Sequence, residues 1–78
     1  MMRADPALQK ILNLLGPEKG QALIDEVLRK IGRSTLATPE DRYLFACELM
    51  TRGGVIEAVG RSIKIQAILH GAKETAER

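Results

Sequence analysis

Seventy-eight residues, 45% of them apolar and 28% charged, describe a folded globular chain of at most one domain and exclude a disordered one. A net charge of +2, from twelve Lys and Arg against ten Asp and Glu, is too small to indicate nucleic acid or anionic lipid by itself. Cys47 is the lone cysteine and His70 the lone histidine, so an internal disulfide is excluded and neither a metal-ligand spacing nor a cofactor motif is visible.

The opening "MMRADPALQK" has no uninterrupted apolar run of the secretory type, and no stretch reaches the ~18 apolar residues of a membrane span. The expectation is a reduced, cytoplasmic setting with no membrane partner. A chain this short buries a smaller fraction of its surface than a larger domain does, and without disulfides or metal its reinforcement must come from helix packing or self-association.

In "DPALQKILNLLG", Asp5 is placed to cap, Pro6 suits the first helical position, and Leu8, Ile11, Leu12 and Leu15 recur at helical spacing before Gly16. This predicts a helix over 5–15. The next run, "GPEKGQALIDEVLRKIG", restarts with Pro17 and Glu18 and carries the stripe Leu23, Ile24, Val27, Leu28, Ile31 before Gly32. Asp25 with Arg29 and Glu26 with Lys30 stand at the i,i+4 spacing of ion pairs, and the predicted helix covers 17–31.

"RSTLA" supplies turn formers, and "TPED" then offers a cap at Thr38, a first-turn proline at Pro39 and two anions at the positive end of a dipole. A third helix is predicted over 39–51. Its body "YLFACELM" is apolar at every position but Glu48, so it needs neighbours on several sides and is expected at the centre of the fold. Glu48 is expected to pair with Arg52 one turn later.

The adjacent glycines Gly53 and Gly54 break the chain before "VIEAVGRSIKIQAILHGAKETAER". "SIKIQAIL" alternates as a strand would, but a lone strand would leave its backbone donors unpaired, so a helix over 54–72 is predicted, with a polar tail over 73–78. Val55, Ile56, Val59 and Ile63 share one side of that helix, while Ile65, Leu69 and Ala72, with Ile68 beyond them, fall on another. Gly60 between them is either a bend or a point of close packing. A straight helix would present Ile65, Ile68, Leu69 and Ala72 as an association surface, with Arg61 and Lys64 at its polar rim.

Signals for chemistry are weak. His70 beside Gly71 suits the negative end of a helix dipole, and Cys47 in the most apolar segment reads as core. A site built on Glu48 and His70 would require a tertiary contact, so no enzyme is expected. Residues 45–65 have the outline of a helix-turn-helix using Arg61 and Lys64 on nucleic acid, but either alignment of the turn glycine puts Arg52 and Ser62, or Gly60, where core residues belong. The leading expectation is an all-α bundle of about four helices, completed by homodimerisation through the last helix: a non-enzymatic interaction module that binds itself or another protein. Nucleic-acid binding is the alternative.

Overall fold

Four helices follow one another in the computed structural model, which describes residues 6–72: α1 (Pro6–Leu15), α2 (Pro17–Ile31), α3 (Pro39–Met50) and α4 (Gly54–Leu69). The fold is all-α, with no strand among the described residues. Asp5, expected to cap α1, and the tail 73–78 lie outside the described residues.

A single residue, Gly16, joins α1 to α2. Its amide donates to Leu12 O at 2.8 Å and its carbonyl accepts from Gly20 N at 2.8 Å, so the second helix begins as the first ends. Gly32 closes α2 in the left-handed conformation, while Arg33 N donates back to Leu28 O at 3.0 Å. The predicted cap of α3 forms as a reciprocal box: Thr38 Oγ1 accepts from Asp41 N at 3.1 Å, and Asp41 Oδ2 accepts from Thr38 N at 3.2 Å.

Asp41 does more than cap. Its second oxygen accepts from Arg33 Nε at 2.7 Å, and Oδ2 also accepts from Ala37 N at 3.0 Å, so one buried carboxylate ties down the whole α2–α3 linker. These hydrogen bonds, Arg33 foremost, outweigh its burial and hold its pKa below the usual 3.8. The linker also inserts Leu36 into the core.

The main core draws on every helix: Ala7 and Ile11 from α1, Ile24 and Val27 from α2, Phe45, Ala46 and Leu49 from α3, and Ile63 from α4. Helix α3 packs on both α2 and α4, with its most extensive interface on α4, as its nearly all-round apolar sequence requires. Each helical hairpin closes on a glycine. A Cβ on Gly20 would lie 3.0 Å from Leu12 Cα, and one on Gly60 would lie 2.9 Å from both Ala46 O and Leu49 Cβ. Gly60 is therefore a close-packing point between α3 and α4.

The buried side of α4 is continuous: Ile56, Val59, Gly60, Ile63 and Ala67 fall within about 100° of arc at helical rotation. Two expectations for this helix are corrected. Val55 was placed with the core but is 62% exposed. The helix also ends at Leu69 rather than at residue 72, because Gly71 adopts φ 116, which closes α4 with a bond from Gly71 N to Ile68 O (3.1 Å) and one from Ala72 N to Ala67 O (2.9 Å). This is the Schellman pattern, and it brings Ala72 back onto Ala67 as that pattern commonly does.

Arg52, just past α3, donates to Glu48 Oε2 and Glu26 Oε2, each at 3.2 Å. The expected Glu48–Arg52 pair is present, while Glu26 reaches across to this arginine. No helix among the described residues is long and apolar enough to cross a membrane.

Candidate interaction surface

The four apolar residues expected to form an association surface divide in the folded chain. Ile65 is 52% exposed and Leu69 is 72% exposed, and both point away from the core. Ala72 is buried against Tyr43 and Ala67, and Ile68 is partly buried against the same small cluster. The early end of α4 is the cause: beyond Gly71 the chain turns back, and Ala72 becomes part of its own subunit.

The outward side of α4 gains residues that the apolar pattern did not assign to it. Val55, Ala58, Ile65 and Leu69 are exposed, and with the half-buried Ser62 they repeat at alternating steps of three and four residues. At helical rotation the five positions lie within about 80° of arc. The stripe is about 21 Å long at 1.5 Å per residue and has the spacing of the contact positions in a coiled coil. Ser62, at its midpoint, accepts from Lys10 Nζ at 2.9 Å.

The two cations expected at the rim are both engaged within the chain. Arg61 donates to Glu57 Oε2 at 2.7 Å across one turn of α4. Lys64 Nζ stands 5.7 Å from the centre of the Tyr43 ring, within cation–π range. Glu48 and His70, the pair considered for an enzyme site, are not brought together at a cavity: Glu48 is held by Arg52 and lines neither of the two cavities that His70 lines.

A cavity of about 220 Å³ lies where the start of α1, the first turn of α3 and the end of α4 meet. Pro6, Ala7 and Ile63 provide its apolar wall, and Lys10, Arg42, Gln66 and His70 its polar one. A second hollow adjoins it at Pro39 and shares Pro6, Arg42 and His70. Reading the sequence missed this site, because its residues come from three helix ends separated by most of the chain. No protein-family model matches the chain, and neither a curated protein nor a solved structure is similar enough to it to count as a match.

Proposed function

We propose that the chain is a small cytoplasmic interaction module that pairs with a second copy of itself through the outward side of α4. The observation that carries this reading is the exposed stripe Val55, Ala58, Ser62, Ile65, Leu69, whose apolar residues the chain's own core leaves uncovered.

The stripe suits a copy of itself. Its first half is slender, with Val55 and Ala58, and its second half bulky, with Ile65 and Leu69. A two-fold axis at Ser62 with antiparallel helices sets Val55 against Leu69 and Ala58 near Ile65, so each bulky residue faces a smaller one and the small serine sits at the crossing. The Arg61–Glu57 pair flanks the contact as a polar rim. One helix face of this length covers much less than the ~800 Å² per partner of a standard interface, so the affinity belongs to the weak, reversible class.

Nucleic-acid binding through residues 45–65 has less support, because Arg61 and Lys64 would have to leave Glu57 and Tyr43 to meet phosphates. Sedimentation equilibrium of the full chain over a range of concentrations tests the leading reading. It expects a monomer–dimer equilibrium that Leu69→Glu shifts to monomer while far-UV circular dichroism stays unchanged. A wild-type monomer at every concentration, or an L69E variant that dimerises as well as wild type, rejects it. Ile68 is unsuitable for this test, since its partial burial against Tyr43 would mix folding with association.

A further inference from the structure

Among the described residues, the exposed large apolar side chains are Val55, Ile65 and Leu69 on the outward stripe of α4 and Leu14 on α1, which is 45% exposed. The side of α1 to which Leu14 belongs is fixed by its neighbours. Ala7, Lys10 and Leu14 follow one another at three and four residues and so share one side of the helix. Ala7 and Lys10 line a cavity together with Ile63, Gln66 and His70 of α4, and Lys10 Nζ donates to Ser62 Oγ at 2.9 Å. Leu14 therefore continues the side of α1 that is turned toward α4.

The two helices run in opposite directions. Pro6 lines the outer hollow with His70, whereas Lys10, one turn later on α1, reaches back to Ser62, two turns earlier on α4. One more turn of α1 brings Leu14 level with Ala58 and Val55, the slender half of the stripe. The edge is fixed as well. At helical rotation Gln66, which shares the cavity with α1, lies to one side of Ser62, and the Arg61–Glu57 pair lies to the other.

We propose that α1 is the second helix of the pairing surface, and that Leu14 with Val55 and Ala58 forms a notch that receives Leu69 of a second copy. The proposal rests on the two-fold pairing of α4 described above. Antiparallel helices that meet face to face are related by an axis lying in the contact plane, across the helices, and such an axis keeps each edge of the stripe on the same edge in both copies. Both α1 helices then border one edge of the contact, while the Arg61–Glu57 pairs keep the other edge polar. Rotation about Ser62 carries the level of Ala58 to a point four residues beyond the axis, so Leu14 comes beside Gln66 and Leu69 of the second copy.

Shape and area favour this occupant. The notch is built on a small residue, Ala58, and is apolar on both flanks, so it suits a bulky aliphatic side chain, and the chain itself supplies one at the symmetry-related place in Leu69, which is 72% exposed. One face of α4 alone falls short of the ~800 Å² per partner of a standard interface, and Leu14 adds apolar contact twice in each dimer.

Isotope-filtered NOE spectra of a mixture of labelled and unlabelled full chains test the assignment, alongside sedimentation equilibrium. Within one chain Leu14 and Leu69 stand about 16 Å apart along α4, too far for a direct NOE, so a cross-peak between their methyl groups reports the second copy. That cross-peak is expected. Leu14→Ala, which keeps helix propensity and empties no core position, should raise the dimer Kd by about tenfold, the value of about one buried methylene lost from each copy. A dimer whose filtered NOEs join Val55 to Leu69 but never reach Leu14, or a folded Leu14→Ala variant that pairs as tightly as wild type, overturns the role of α1 and leaves the pairing through α4 standing. A wild-type chain that is monomeric at every concentration removes the pairing itself, and this proposal with it.

Discussion

Replacing Gly60 with alanine sets two effects of similar size against each other. Gly60 lies inside α4 with ordinary helical backbone, so propensity alone favours alanine by about 1 kcal/mol. Against this, the new Cβ would stand 2.9 Å from Ala46 O, 2.9 Å from Leu49 Cβ and 3.0 Å from Met50 Cγ. Met50 can swing aside, but a carbonyl and a Cβ are fixed to the α3 backbone, so relief requires the two helices to move apart over their largest interface. Overpacking of this kind costs about 1–3 kcal/mol, which leaves a net loss of about 0–2 kcal/mol. For a chain of this length each kcal/mol lowers Tm by about 4–8 °C. Urea unfolding and thermal melts followed by far-UV circular dichroism measure the change, and Ala22→Gly, at an exposed position inside α2, calibrates the propensity contribution. A Gly60→Ala variant more stable than wild type by about the propensity value would refute the close approach of α3 and α4.

Three further outcomes follow from particular contacts. Asp41→Ala removes the carboxylate half of the α3 capping box and the anchor of Arg33 and Ala37, for a loss of about 2 kcal/mol at neutral pH in urea unfolding. Because the Asp41 pKa is lowered in the folded chain, its contribution is complete above the unfolded value near 3.8 and is lost as the pH falls through the lower folded value, so the gap between wild type and variant should narrow only in acid. A gap that is the same at pH 3 and pH 7 would contradict the ion pair. Gly71→Ala places a side chain at φ 116, costs about 1 kcal/mol, and should loosen Ala72 from Tyr43; as Tyr43 is the only tyrosine and there is no tryptophan, near-UV circular dichroism reads that change directly.

Local signals carried most of the fold. Pro17, Gly32 and the Thr38–Asp41 box each act through the backbone of their own neighbourhood, and the helices they bound begin and end where those signals stand, apart from the last residues of α3 and α4. The faces of α4 were less legible. A search for large apolar residues leaves out Gly60 and Ala67, yet both are buried, Gly60 against the α3 backbone, and they define the buried side. Once they are counted as core, Val55 rotates outward and the exposed stripe becomes continuous. Asp41–Arg33 and Arg52–Glu26 were also out of reach, since each depends on a connection folding back across a helix end rather than on periodic spacing.

The glycine-sealed hairpins bear on how the chain assembles. Helices α1 and α2 are consecutive and meet at Gly20, and α3 and α4 are consecutive and meet at Gly60, whereas the contacts that join one hairpin to the other are fewer. Closing short loops is entropically cheap, so each hairpin can zip up before the two find each other, and the linker held by Asp41 acts as the tether that limits their search. The seam between hairpins is then the plane along which the native protein opens first, and amide protons on either side of it should exchange ahead of those facing Gly60.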